Sequence, residues 1–404
     1  MPDRILTSHA GSLPRPDELI DASRQRMAGE LTDEAAYRAG LAAAVAQVVA
    51  RQRDTGIDLV NNGEFGHTTA QRYDFGPWWV YVFGRLGGLE LASTGLMSVR
   101  REQHQPGDVV LSSFDQRRDW EAFAEAYGDP GSGVALPNRA NHGISPVCRG
   151  PITYRGQEAV AADIAHFKAA MAAAGISDGF MNAVAPGSCS RFGNEYYDTE
   201  EELLYACADA MREEYRAIVD AGLILQLDDP CIAENWDQVN PAPTVADYQR
   251  FTMTRVEALN HAIRGLPPER IRFHLCWGSW HGPHTTDIPM ADIVGVMLAV
   301  NVGAYSFEAA NVRHEHEWKV WQDVRLPDGK VILPGVVSHS TNVVEHPELV
   351  ADRIGRFASA VGRENVIAST DCGLGGRVHP QIAWAKLGTL AQGAELATRQ
   401  LWRS

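Results

Sequence analysis

The sequence predicts an α/β fold, a TIM (β/α)8 barrel. Three observations carry that expectation: Ala-rich helical stretches alternate with short apolar strands, helices end at Gly, and nearly every strand ends on a polar residue. Strand and helix alternating at this spacing means parallel βαβ units. In a barrel the chemistry gathers at the C-terminal ends of the strands, where these polar residues fall. A doubly wound open sheet shares the alternation, but no GxGxxG follows a first strand.

The elements follow in order. Thr32-Asp33-Glu34 supplies an N-cap and early acids for a helix to about Arg53, stopped at Gly56. IDLVNNGEF (57–65) is a short strand ending in Asn61, Asn62, Gly63 and Glu64. A helix over 157–174 stops at Gly175 and leads to the strand GFMNAV (179–184). Asp198-Thr199 caps a helix to about Ala221, and the strand LILQLD (223–228) ends in Asp228-Asp229-Pro230. A helix over 245–264 precedes RFHLC (272–276), and one over 288–300 precedes AYSFEAAN (304–311), which ends near Glu308. VILPGVVSHS (331–340) is a strand ending at His339. A helix over 346–361, the strand NVIASTDCG (365–373) and a helix over 380–398 complete the chain. Residues 75–155, rich in Gly, Pro and aromatics, break the rhythm. They read as an insertion after the second strand, long enough for a lid or an oligomer contact. The expected organisation is one barrel over 1–404 that carries this insertion.

Composition limits the partners. With 36 Lys and Arg against 51 Asp and Glu the net charge is −15, which argues against a nucleic-acid surface and against anionic membranes. No window has the apolar length of a membrane span, and the N-terminus lacks a signal-peptide core. Six cysteines in 404 residues are too few for a disulfide scaffold, so a reducing, cytoplasmic compartment is expected.

His274 and Cys276 sit two apart in a strand, and period two puts them on one face. Zinc takes about four ligands from Cys, His and carboxylates. His274, Cys276, Glu308 and Cys372 are ligand-type residues at strand ends and would meet at one barrel mouth. The alternative is structural: a buried Cys is a small hydrophobe, and a strand-end His bonds a carbonyl. Cys372 between Asp371 and Gly373 favours the metal reading, because a core residue would be out of place there.

Several motifs together resemble the cobalamin-independent methionine synthase family, in its C-terminal catalytic barrel. They are HAGSLPRP (9–16), GIDLVNNGEF (56–65), LQLDDP (225–230), HLC (274–276), Glu308, VVSHS (336–340) and TDCGLGGR (370–377). The resemblance implies a TIM barrel whose Zn²⁺ activates a thiol for alkylation. It assigns His274, Cys276, Glu308 and Cys372 as metal ligands. Ser12 would contact an amino-acid carboxylate, Glu64 and Asp228 would hold an ammonium, and His339 would move protons. Two departures stand out: the chain has no room for a second barrel, and the family's Asp-Glu-Pro reads Asp228-Asp229-Pro230. EAANVRHEHEW (308–318) and TNVVEHPELVADRI (341–354) are most similar to the single-barrel branch, which includes core methionine synthases and epoxyalkane:coenzyme M transferases. The expected partners are a small-molecule thiol, homocysteine or similar, and a methyl or alkyl donor. Alternatives are an epoxide:thiol transferase, a zinc hydrolase and a zinc-binding barrel without transferase activity. Trp78-Trp79 suits either a lid or a homo-oligomer contact.

Overall fold

A computed structural model describes residues 3–74, 76–93, 100–113, 116–134 and 145–402 of the chain. Its strands are β1 (Leu6–Thr7), β2 (Val60–Asn61), β3 (Leu86–Ala92), β4 (Ser145–Tyr154), β5 (Gly179–Val184), β6 (Gly193–Asn194), β7 (Ile224–Asp228), β8 (Ile271–Leu275), β9 (Ala304–Phe307), β10 (Val331–Val337) and β11 (Ile367–Thr370). Eight of them form one sheet in the order β1-β11-β10-β9-β8-β7-β5-β2, with every ladder parallel. The sheet curls so that its two end strands meet. Asp58 N and Leu59 N both donate to Thr7 O, at 3.2 and 3.0 Å.

Local chemistry sets the helices between the strands. Asp33 caps Glu34–Thr55 by accepting from Ala36 N, and Gly56 ends that helix at φ 92°. Thr199 and Glu202 form a capping box on Glu200–Asp220. Gln157–Ala174, Val245–Ile263, Met290–Leu298, Pro347–Val361 and Pro380–Leu401 occupy the other long crossovers. Each buries one apolar side against the sheet, as with Leu203, Leu204, Met211, Tyr215 and Ile218 of the helix Glu200–Asp220.

The expected strands and helices are present, with two differences. The N-terminal strand β1 and the helix Asp17–Met27 had no clear sequence signal. Strand β8 ends at Leu275, so Cys276 lies just past the strand, with its thiol beside His274 as expected.

Within the expected insertion, residues 75, 94–99, 114–115 and 135–144 lie outside the described residues. The described part holds the helix Pro77–Arg85 and two strands of a second sheet, ordered β3-β4-β6. Arg85 fastens it to the barrel helices through buried ion pairs to Asp163 (2.6 Å) and Glu214 (3.0 Å). The Trp79 indole donates to Ser188 O at 3.0 Å and packs edge-on against Phe83, so Trp79 is engaged within its own chain. No described helix is long and apolar enough to cross a membrane.

One buried ion pair holds the loop after β10. Lys386 is fully buried, and its Nζ lies 2.9 Å from Glu345 Oε2, while Glu345 Oε1 accepts from Ser338 N at 2.7 Å. Lys386→Met should cost about 3–5 kcal/mol, because it strands a buried carboxylate. Adding Glu345→Gln should recover part of that loss, as urea unfolding of the single and double variants will show. An additive double variant would contradict the assignment.

Candidate metal centre

The strand ends of β8 and β11 bring His274, Cys276 and Cys372 together, with ligand atoms all within 4.8 Å of one another. The two sulfurs are 3.8 Å apart. Two sulfurs each about 2.3 Å from a tetrahedral zinc would stand about 3.8 Å apart. His274 Nδ1 lies 3.0 Å from Ser306 Oγ, while Nε2 is buried and has no partner. A buried ring nitrogen left bare beside two thiols is the donor set a zinc ion completes. These residues therefore fit the metal that the sequence implied.

The thiols are unequal. A hydrogen bond from Cys276, and then the neighbouring His274, hold the Cys372 thiol well below its ordinary value against the opposing effect of burial. Cys276 is raised by the same bond to Cys372, by burial and by Glu308. Gly278 N also donates toward Cys276 Sγ at 3.3 Å.

Glu308 lies against this group and also belongs to a second one. Its carboxylate gathers with His339 and Asp371, within 4.8 Å of each other and all buried. Glu308 Oε1 accepts from Trp277 N at 2.9 Å and Oε2 from Asn311 Nδ2 at 2.7 Å. Burial, and then Asp371, push Glu308 up to about 8. Asp371 Oδ1 accepts from Ala309 N and Ala310 N at 2.7 Å each, which ties the end of β11 to the turn after β9. Burial lowers His339 to about 3, and its Nδ1 is buried without a partner.

The three expected substrate residues face the same mouth. Ser12 O accepts from Leu374 N and Gly375 N at 2.9 Å, which docks Ser12 on the loop after Cys372. Asp228 Oδ1 accepts from Gln226 Nε2 (2.7 Å) and Oδ2 from Asn182 Nδ2 (2.9 Å). Burial pushes Asp228 up to about 6, and burial with Asp228 raises Glu64 well above the carboxylate range. Glu64 adopts φ 60°, a strained left-handed backbone for a non-glycine residue. Its Oε2 is buried without a hydrogen bond, 3.8 Å from the equally unpartnered His67 Nδ1.

Sequence reasoning did not single out Asn182, Gln226, Arg272 or Tyr81 behind these groups. Arg272 Nε donates to Gln226 Oε1 at 2.6 Å, so the amide nitrogen of Gln226 must face Asp228. Period two was the available signal, since Gln226 precedes Asp228 and Arg272 precedes His274 by two residues. Tyr81 stacks on His67 at 3.9 Å and 4°. Arg377 joins the loop after β11 to Ser279 Oγ (2.8 Å) and Asp74 O (2.7 Å). His9 bonds Gln52 at 2.8 Å in the interior. Asp229 accepts from Ser188 Oγ at 2.7 Å and donates its N–H to His274 O at 3.0 Å, which gives it a supporting place. Trp277 and Trp280 wall the mouth, stacked on His314 (4.1 Å) and His284 (4.2 Å).

The profile of the family described as "Cobalamin-independent synthase, Catalytic domain" matches residues 142–395. The chain belongs to this family. The match takes in Asp228, His274, Cys276, Glu308, His339 and Cys372 but not His9, Ser12, Glu64 or His67. The chain is 26% identical to a methionine synthase of Thermococcus kodakarensis over 213 residues, 52% of this chain and 54% of that protein. It is 25% identical to one of Saccharolobus solfataricus over 213 residues, 52% of this chain and 55% of that protein. The aligned stretch thus spans about half the length of these curated relatives. In overall fold the chain is similar to a B12-independent methionine synthase from Shewanella sp. W3-18-1 in complex with selenomethionine, with TM-score 0.69 and 19% identity over 98% of this chain and 99% of that one. A putative vitamin-B12 independent methionine synthase from Listeria monocytogenes superposes with TM-score 0.62 and 19% identity over 99% of this chain and 100% of that one.

Gly11 gives the close packing of this mouth a test. It has φ 138°, and a Cβ there would collide with Glu64 Oε1 and Asn182 Nδ2. Gly29 also has positive φ (72°), but a Cβ there meets nothing within 4 Å. Gly29→Ala should therefore cost only the backbone strain, about 1–2 kcal/mol, and Gly11→Ala distinctly more. Equal losses in denaturant unfolding would show that the predicted collision is absent.

Proposed function

We propose that this protein is a zinc-dependent thiol alkyltransferase, most simply one that transfers a methyl group to the sulfur of homocysteine or a similar small thiol. The observation that carries the reading is the trio His274, Cys276 and Cys372, with its sulfur spacing of 3.8 Å and its bare imidazole nitrogen. Family membership supports the same chemistry. Glu308 is the fourth ligand in this reading and must give up one of its present hydrogen bonds to serve. When bound, zinc makes an incoming thiol a thiolate at neutral pH, where a free thiol of pKa about 8.5 is mostly protonated.

The residues do the rest. Ser12 takes the acceptor's carboxylate, while Glu64 and Asp228 take its ammonium. Asn182, Gln226 and Arg272 keep the Asp228 oxygens turned to the pocket. His339, kept neutral by burial, accepts the thiol proton at its unpartnered Nδ1 and returns it to the departing group. Trp277 and Trp280 keep bulk water from the mouth. We also read the chain as a single barrel in which residues 75–155 are an insertion, a lid or an oligomer contact.

A coenzyme M type acceptor is the second reading, and the single-barrel motifs favour it. Glu64 and Asp228 oppose its sulfonate, while Arg15 and Arg377 lie near enough to favour the ionised form of Glu64.

Purified protein should carry about one zinc per chain by elemental analysis, and Cys276→Ser and Cys372→Ser should lose it. Product analysis decides the function: homocysteine with a methyl donor should yield a thioether, whereas turnover of coenzyme M with an epoxide would establish the second reading. If neither thiol adds sulfur to the metal shell by X-ray absorption, thiol activation is refuted. His339→Gln should retain zinc and thiol but slow the chemical step by roughly 10²–10⁴-fold. Loss of metal in that variant would make His339 a ligand.

A further inference from the structure

A second concentration of positive charge lies beside the barrel mouth. A cavity of ≈ 60 Å³ is lined by Arg100, His104, Arg191 and Arg255, with Glu200 as the one carboxylate among its described lining residues. These side chains come from separate places: the stretch before Leu111, the turn after β5, and the helix Val245–Ile263.

The charges there are not all paired. Arg100 pairs with Glu200 at 2.7 Å. Arg191 pairs with Glu234 at 2.8 Å, and Arg117 joins Glu234 and also Asp237. Arg255 makes no ion pair among the described residues, and its Nη1 donates only to Phe251 O of its own helix, at 2.9 Å. Asp229 is near enough for Arg255 to favour its ionised form, but it bonds Ser188 and makes no ion pair with Arg255. Three nitrogens on the lining residues are buried and unpartnered: Arg255 Nε, Arg191 Nε and His104 Nε2. Buried donors are almost always satisfied in folded proteins, so three around one void call for an acceptor.

We propose that this cavity is a binding site for a compact oxyanion of the phosphate class. Arg255, Arg191 and Arg100 hold it, and His104 closes the fourth side. Guanidinium groups recognise phosphate oxygens through paired N–H bonds. Donors arriving from several directions suit a tetrahedral anion better than a flat carboxylate. One water needs roughly 10–15 Å³ by this kind of measure, so the void admits an ion of that size. The bound anion ties the stretch 100–111 to the barrel beside Ser188 and Asp229, next in sequence to Asp228. The site stands independently of the thiol chemistry.

Calorimetry on the full chain at constant ionic strength tests it, with inorganic phosphate, sulfate and glycerol phosphate titrated against a chloride control. Saturable one-site binding is expected, weakened about tenfold or more by Arg255→Met, since a charge-assisted bond is lost. Arg100→Met, at the cavity rim, should weaken it as well and decides the matter if Arg255→Met fails to fold. Arg270→Met, on the surface pair with Asp178, should leave binding unchanged. Tighter binding of the ester assigns the site to a metabolite's phosphoryl group, and tighter binding of the free ion assigns it to phosphate itself. Heat no different from chloride, or equal affinity in the folded Arg255 and Arg100 variants, overturns the proposal.

Discussion

The structure is organised around one incomplete donor set: two thiols hydrogen-bonded to each other, Cys276 also to Gly278 N, beside a buried imidazole nitrogen with no partner. His274 Nδ1 is engaged by Ser306, which turns the bare Nε2 toward the sulfurs. Leaving such a group unsatisfied costs about 1–3 kcal/mol. A fold tolerates that cost where a ligand repays it, and the 3.8 Å between the sulfurs is a metal's spacing, well beyond a disulfide's. The strand ends of β8 and β11 must stay in register for the arrangement to persist, so the barrel's parallel ladders are a condition of the chemistry.

That register is enforced by polar groups more than by the apolar core at this end. Asp371, next to Cys372, accepts from Ala309 N and Ala310 N and donates its own N–H to Val337 O, so one residue joins the ends of β9, β10 and β11. Gly335 lies against Asp371 so closely that a Cβ would strike its backbone. On the opposite side Arg272 reaches Ser8, His9 and Gln226, and through Gln226 it orients Asp228. These contacts run between strands distant in sequence. The side of the mouth with the candidate metal ligands and the carboxylate side are thus braced by separate networks that meet at β8, which carries both Arg272 and His274.

Much of this was legible in the sequence because it is periodic or local. Gly56 and Gly175 end helices in the left-handed conformation that their positions foretold, and the strands from β5 to β11 of the large sheet match the stretches read as strands, β8 starting one residue early at Ile271. The ligand-type residues were legible because each closes a strand. What stayed hidden depends on distant partners. Strand β1 has two residues and exists through its pairing with β11, so it has no pattern of its own. Cys276 reads as a strand residue but follows the strand, since its backbone position is set by the turn at Gly278, φ 92°. Asn182, Gln226 and Arg272 look like ordinary polar residues inside strands until the sheet closes and their side chains face one another. The second sheet was illegible for the same reason: β3 and β6 each pair with β4 across several tens of residues.

Glu308 shows how the two groups at the mouth would work as one. Both of its oxygens are already bonded, one to the backbone beside Cys276 and the other to Asn311. A carboxylate so held is a ligand that can be released without being left unsatisfied, because its own donors wait for it. The two cysteines and His274 have no such alternative set. Under the proposed reading, an incoming thiol would displace the ligand whose departure costs least. That ligand lies in the same cluster as His339 and Asp371, so the displaced carboxylate would return to the residues that handle the thiol's proton. Exchange at the metal and proton transfer would then be coupled through a single side chain, which is a reason for the turn after β9 to be fastened to Asp371 rather than left as an open loop.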